Sequence, residues 1–226
     1  MTSGYQRVAG LSGIAKPRAA VEICETPDVT FDYQRSLQRR MRAMHSLYED
    51  ACSSMDLEHV NHAERSGVLP IAFSLVHQLL IEDSVLIFTG GPAQLFNDEW
   101  ATRIGLAIAD HGKHMTVDEM MHQRIGNYDA FLELQALVFA QTEKWLADID
   151  PATFGEVVVP APYGPGVAST FSARVGGDNG ITRSDALECW IYQHGLRHMG
   201  EIEHARGLVG LGGTTVRKNR KKKTTP

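Results

Sequence analysis

The chain has 226 residues, of which 43% are hydrophobic and 22% are charged, so it is long enough for one globular domain with its own core. Residues 217–226 carry six positive charges and no acidic residue, so the net charge of −5 leaves residues 1–216 with −11. An acidic body binds nucleic acid poorly, because affinity for phosphates depends on clustered lysine and arginine. We therefore interpret the basic segment as a solvated tail.

Signals for membranes or export are not found in the sequence. No stretch reaches the roughly 18 uninterrupted apolar residues of a membrane span. The most apolar segment, Ile71–Phe88, contains a histidine, a glutamine and two acidic residues, which is typical of a core helix. Residues 1–16 lack the apolar run of a secretory signal, and three widely separated cysteines do not indicate a disulfide framework. We expect a cytoplasmic protein without membrane or nucleic-acid partners.

Apolar residues that recur at steps of three and four predict four long helices. Pro70 falls in the first turn of the second helix, where its missing N–H costs little. The Thr-x-x-Glu spacing from Thr116 to Glu119 predicts a capping box at the start of the third helix, whose apolar stripe continues from Met121 to Leu146. The predicted helices are Phe31–Ser53, Gly67–Phe88, Thr116 to just before Pro151, and Arg183–Val209, which ends at a glycine cluster.

Two long connections separate these helices. The connection Thr89–Met115 is expected to contain a short helix, Asp98–Gly105, capped by Asn97. The connection Pro151–Ile181 contains three consecutive valines, 157–159, and could add a short extended pair. The sequence thus predicts an all-α fold, a four-helix bundle with long crossover connections. Its domains are an extended or disordered leader at 1–30, the bundle at 31–212 and the basic tail at 213–226.

The fourth helix places two histidines where a core stripe calls for leucine or isoleucine. Its inward positions, counted in steps of four and three, include Leu187, Ile191, His194 and His198. Residues four apart lie about 6 Å apart along the axis on one face, so both imidazoles can reach one ion. Burying them without partners costs several kcal/mol, roughly, on the usual scale for polar groups. A shared metal ion would remove that cost, although a pair of satisfied core histidines is the simpler alternative.

A third histidine, His77, occupies an inward position near the middle of the second helix, on a stripe that also includes Ile87. Packed side by side, the two helices would bring His77, His194 and His198 into one layer. Three nitrogens from two helices leave coordination positions open for water or substrate, as in catalytic rather than structural metal sites. Zinc is the metal that we expect, and nickel or iron also suits three nitrogen ligands.

The segment Tyr192–Ile202 (YQHGLRHMGEI) resembles the last-helix signature of the DinB/YfiT-like superfamily of metal-binding four-helix bundles, in which two histidines four apart precede x-Gly-Gln-Ile. The segment Ser74–Asp83 (SLVHQLLIED) resembles its second-helix motif. The resemblance covers roughly residues 31–210. It implies an up-down-down-up bundle with His77, His194 and His198 as metal ligands. The family usually has glutamine where this chain has Glu201. That carboxylate suits a catalytic role, as orienter of a ligand or as proton acceptor, and a solvated helix-end residue is the alternative.

The resemblance also implies a function. Relatives transfer or use small cellular thiols such as mycothiol or bacillithiol, and include isomerases, thiol transferases and amidase-like hydrolases. We expect thiol-S-transferase-like chemistry at the metal, with metal-dependent hydrolysis as the nearest alternative and a metal- or ligand-binding bundle without turnover as another. Sulfoxide-synthase relatives carry iron on a similar bundle, but usually with a second domain. The expected partners are a small-molecule substrate and a small thiol, and a homodimer is left open.

Other candidate groups have weaker patterns. The pairs His59 with His62 and His111 with His114 have ligand-like spacing but fall in connections, where surface histidines are expected; the second pair could line the rim of the site. Cys189 lies five residues before His194, off the ligand face, and no cysteine has the setting of a nucleophile. We expect substrate to enter at the bundle end bordered by the two long connections.

Overall fold

The computed structural model describes residues 32–63, 65, 67–112 and 115–214. The predicted leader, residues 1–30, and the basic tail from residue 215 onward lie outside this part of the chain. Within it the protein is mostly helical with one small two-stranded sheet, which confirms the predicted all-α class.

Most of the core lies on four long helical segments, which begin at Tyr33, Ile71, Tyr128 and Arg183. The helices are α1 (Tyr33–Cys52), α2 (Leu57–Asn61), α3 (Ile71–Val85), α4 (Asp98–Ile104), α5 (Val117–Met120), α6 (Tyr128–Asp148), α7 (Pro165–Ala168), α8 (Phe171–Gly176), α9 (Arg183–Ala186) and α10 (Gln193–Leu208). Short 3₁₀ turns occupy Leu86–Thr89, Pro151–Thr153 and Gly177–Asn179, and the strands are β1 (Val157–Val159) and β2 (Ile181–Thr182).

The second predicted helix forms as α3 and is buried on nearly all sides, as expected of a core helix. Pro70 is its N-cap rather than a residue of its first turn. The inward position predicted for Ile87 is wrong: Ile87 is 56% exposed and Phe88 is 61% exposed, while Leu86 is fully buried. The helix tightens into a 3₁₀ turn at Leu86, and the change in residues per turn rotates the following side chains outward.

One segment passes a simple length and hydropathy test for a membrane span. It is Ile71–Thr89, and 67% of its most apolar window is buried inside the protein. Core helices of globular proteins pass the same test.

The prediction of one continuous third helix is wrong, because the structure has two separate helices, α5 and α6, in this region. The capping box of Thr116 and Glu119 is present, but the helix that it starts, α5, ends at Met120. The backbone N–H groups of Gly126 and Asn127 donate to the carbonyl of Ile104, which draws the chain out of a helical path. The Asn127 side chain then accepts from the Ala130 amide and starts α6.

The fourth helix runs without interruption from Arg183 to Leu208, close to the predicted bounds. Thr182 and Asp185 form a capping box at its start. Between α9 and α10 the backbone passes through one π-helical segment, Leu187–Tyr192, which the sequence did not predict. Such a segment inserts an extra residue into a turn and is frequent beside functional sites.

The two long connections contain the predicted short elements. Asn97 caps α4 by accepting from the Trp100 amide, and Gly105 follows α4 with a positive φ of 68°. The extended pair forms too: β1 and β2 are antiparallel, with Val157 opposite Thr182. The contacts of the last helix extend beyond the predicted boundary at residue 212, because Thr214 donates to the carboxylate of Glu203.

Packing among the long helices brings the histidine-bearing elements together. Helix α3 packs against α10 and α6, and α1 packs against α6 and α10. Where α1 meets α10, the Tyr48 hydroxyl donates to the carbonyl of Gly195 over 2.8 Å. A Cβ at Gly195 would overlap the side chain of Met44, so glycine permits this close approach. The approach holds α10 against the core one residue after His194.

Candidate metal centre

The three predicted histidines converge on one point. His77 projects from α3, and His194 and His198 project from one face of α10. The Nε2 atom of His194 lies 3.2 Å from Nε2 of His77 and 3.1 Å from Nε2 of His198. The ligand atoms of all three lie within 4.8 Å of one another. These residues are therefore the group that could hold a metal ion in the described part of the chain.

The protonation of His77 follows from its partner. Its Nδ1 makes a very short hydrogen bond with the main-chain carbonyl of His111. A carbonyl can only accept, so Nδ1 carries the proton. Burial lowers the pKa of His77 to about 4, and the ring is neutral at neutral pH. Nε2 is then unprotonated and turns its lone pair toward the centre of the triad.

His198 is held in the same way by a carboxylate. Its Nδ1 lies 2.6 Å from Oε2 of Glu201, and the Ser74 hydroxyl donates to the same oxygen over 3.0 Å. The hydrogen bond from His198 lowers the pKa of Glu201 below its ordinary value, so that the carboxylate is ionised at neutral pH. An ionised carboxylate only accepts. Nδ1 of His198 therefore donates to Glu201, and Nε2 of His198 faces the triad.

The hydrogen bonds of His77 and His198 indicate whether a cation would fit among the three Nε2 atoms. Nε2 of His77 is unprotonated and faces Nε2 of His194, which can carry at most one proton. When the His198 ring is neutral, its Nε2 also faces His194 without a proton. One proton cannot make two straight hydrogen bonds, so in that state at least one contact near 3 Å joins two lone pairs. A cation among the three nitrogens would remove this repulsion. Outer donors that fix the ring of a ligating histidine are also a usual feature of metal sites.

A cavity of about 580 Å³ lies beside the triad, with His77 and His194 in its wall. Within the described residues, the connection Pro151–Ile181 contributes much of the lining, from Val159 to Ser172. None of the described residues of the connection Thr89–Met115 lines it, but this connection reaches the site through the carbonyl of His111, which accepts from His77. The predicted entrance bordered by both connections stays a prediction; among the described residues, the later connection lines the cavity and the earlier one contacts His77.

Most residues of this cavity were not predicted as site residues, and three of them carry polar or reactive groups near the triad. Trp190 and Cys189 belong to the π-helical segment, and Arg197 lies between the two histidines of α10. Cys189 does not belong to the group of candidate ligands, which agrees with its predicted place off the ligand face, but it shares a cavity with His77 and His194. Burial raises the pKa of Cys189 to about 11, so its thiol is protonated at neutral pH. Arg197 could have been noticed in the sequence as a cation within the histidine motif.

Of the other two histidine pairs, the described members His59, His62 and His111 do not belong to the group of candidate ligands. His59 lies beside Asp56, the N-cap of its own short helix α2. His111 contributes its carbonyl to His77, and the two imidazole rings are 6.2 Å apart. His114 lies outside the described residues.

Comparison with solved structures shows a similar fold in a conserved protein from Enterococcus faecalis. The two structures align with a TM-score of 0.63 over 80% of this chain and 99% of that chain, at 14% sequence identity. At this identity the likeness concerns the fold alone. No family model and no curated protein matches the chain.

Proposed function

We propose that this protein binds one divalent metal ion through His77, His194 and His198 and uses it in small-thiol-dependent transfer chemistry. The observation that carries the proposal is the convergence of the three Nε2 atoms, while Nδ1 of His77 and Nδ1 of His198 each donate to a group outside the triad. Neutral imidazoles donate without cancelling the charge of the ion. Zinc is the proposed metal, with nickel and iron as alternatives.

We further propose that the chain is a four-helix bundle of the DinB/YfiT-like type. The packing of α1, α6, α3 and α10, each against two of the others, supports this arrangement. The two motifs that carry the resemblance fall on α3 and α10, which are neighbours in the structure. A mycothiol- or bacillithiol-like cosubstrate follows from this resemblance.

Different residues around the triad have different roles in the proposed chemistry. A bound divalent metal supplies positive charge that favours the deprotonated form of a thiol or of water. His111 and Glu201 keep the protons of His77 and His198 on Nδ1. The side of the triad that faces the cavity is available to a small molecule, which would pack against the mainly apolar wall. Glu201 is thus proposed as a positioning residue, and its other expected role as a proton acceptor stays a prediction.

Metal analysis of purified protein tests the proposal. We expect a near-stoichiometric divalent metal that is largely lost in His194→Ala and His198→Ala. The matched control is His204→Ala, an exposed histidine on the same helix, which should retain the metal. Full retention in both triad variants would reject the site.

A second measurement separates transfer from hydrolysis and from binding alone. In cobalt-substituted protein, a small thiol that binds at the metal should change the visible absorption, and His77→Ala should abolish both this change and turnover. If no thiol perturbs the spectrum while an amide or ester is cleaved, hydrolysis replaces transfer. Binding without any turnover would instead identify a ligand-binding protein.

A further inference from the structure

The cavity beside the triad has a mainly apolar wall. Side chains from three parts of the chain form it, among them Ile81 and Val85 of α3, Phe171 of α8 and Trp190 of the π-helical segment. A volume of about 580 Å³ falls within the range of pockets that enclose small organic ligands. Two aromatic side chains of this wall, Phe88 and Phe171, are 61% and 56% exposed. An apolar ligand would cover surface that the fold itself leaves in water.

A permanently charged residue lines this cavity. Among the lining residues in the described part of the chain, Arg197 is the only lysine, arginine, aspartate or glutamate. Across the described residues, the Arg197 guanidinium makes no hydrogen bond and no ion pair. Arginines elsewhere on the last helix are engaged: Arg183 pairs with Glu156, and Arg206 donates to the carbonyl of Ala51. The guanidinium of Arg197 therefore keeps its donors available to a ligand.

Glu201 interacts electrostatically with Arg197 but makes its hydrogen bonds with other groups. Arg197 contributes to the lowered pKa of Glu201, but Oε2 of Glu201 is the oxygen that accepts from His198 and Ser74. Arg197 lies three residues after His194, on a neighbouring position of the helix surface. A group held by Arg197 would consequently sit within one helical turn of the triad.

From these features we propose that the cavity binds carboxylates with an aromatic or branched apolar body. The carboxylate would accept hydrogen bonds from Arg197, whose planar donors match its two oxygens. The apolar body would pack against Trp190 and Phe171. As a substrate class this inference rests on the proposed metal-dependent function, whereas the binding itself requires only the cavity and Arg197.

The probe is 4-phenylbutyrate, compared with its neutral analogue 4-phenylbutanamide, in calorimetric titrations of metal-loaded and chelator-treated protein. Arg197→Gln should weaken binding of the carboxylate about tenfold, the lower range for a hydrogen bond to a charged group, and should leave the amide within about twofold. Arg39→Gln is the matched control, because Arg39 is an exposed arginine of α1 that does not line the cavity. Phe171→Ala should weaken both ligands severalfold, while Leu137→Ala, an exposed site on α6, should change neither.

The outcomes separate this inference from the proposed function. Arginine-dependent binding that survives chelation supports the inference, even in a protein that proves to contain no metal. Equal affinity of wild type and Arg197→Gln for phenylbutyrate overturns it, as does equal affinity of wild type for the acid and the amide. Loss of carboxylate binding on chelation also overturns it, since the carboxylate would then be a ligand of the metal. Absence of phenylbutyrate binding at millimolar concentration overturns it whatever the metal content.

Discussion

Glu201 and His198 are joined by a hydrogen bond of 2.6 Å between Oε2 and Nδ1. The two residues are three apart on α10, so one turn of helix brings the carboxylate under the imidazole. The bond fixes both the orientation of the ring and the nitrogen that carries the proton. Glu201 therefore contributes to the triad without facing its centre.

Glu201→Gln should weaken metal binding by about 10–100-fold, the usual effect of removing an outer partner of a ligating histidine. The fold should be nearly unaffected, because 48% of the side chain is exposed. Competition with a chromophoric chelator measures the affinity. Glu49→Gln, an exposed acid on α1, controls for the change in net charge. Unchanged affinity in Glu201→Gln would remove the positioning role.

A second set of polar groups lies away from the triad, around His45. This side chain is fully buried, with Nε2 3.0 Å from Glu82 and Nδ1 2.9 Å from Glu143, which also pairs with Arg42. Burial opposes the charged imidazolium, but the two carboxylates outweigh it and raise the pKa of His45 above its ordinary value. Protonated His45 therefore stabilises the folded state fully below its unfolded pKa of about 6.5. That contribution is lost as the pH rises through the raised folded pKa.

The His45→Gln, Glu82→Gln double variant replaces the central ion pair with two neutral amides. As the pH rises from about 6 to about 9, wild type should lose free energy of unfolding relative to this variant. Urea unfolding at each pH gives the comparison. His204→Gln, at an exposed site, should follow wild type. Parallel profiles of wild type and the double variant would show that folding does not raise the pKa of His45.

Two glycines of α10 should respond oppositely to alanine. At Gly195 a Cβ would overlap Met44 Sδ and lie 2.9 Å from its Cε, so Gly195→Ala should destabilise the protein by about 1–3 kcal/mol, as overpacking does. At Gly200 no atom lies within 4 Å of a built Cβ, and Gly200→Ala should stabilise the helix by about 0.5–1 kcal/mol. Chemical denaturation measures both changes. A Gly195→Ala variant as stable as wild type would mean that α1 and α10 do not meet closely.

Residues up to Thr214 should contribute to the stability of the protein, whereas the basic residues after Thr214 should not. Arg206 donates to the carbonyl of Gly212, and the Thr214 hydroxyl and amide donate to Glu203. Truncation after Leu211 should therefore lower the free energy of unfolding by about 1–2 kcal/mol, the scale of one or two hydrogen bonds. Truncation after Thr214 removes the basic segment alone and should change neither stability nor metal content. Loss of stability in the longer truncated protein would show that the basic tail docks on the acidic body.

Properties that depend on neighbours along the chain could be predicted from the sequence. The caps at Asn97 and Thr116 each need a partner within a few residues, and both are present. The shared face of His194 and His198 follows from helix geometry alone. The apolar run of α3 identified a core helix for the same reason, because burial on all sides is a property of composition.

Other features were decided by contacts between distant segments. The break between α5 and α6 arises because the carbonyl of Ile104 accepts hydrogen bonds from the amides of Gly126 and Asn127, which follow it by 22 and 23 residues. The proton on Nδ1 of His77 depends on the carbonyl of His111, whose position the periodicity of α3 cannot indicate. The π-helical segment places Trp190 and Cys189 in the cavity by an extra residue in one turn. Spacing along a helix determines which side chains share a face, but only packing decides which distant group meets them.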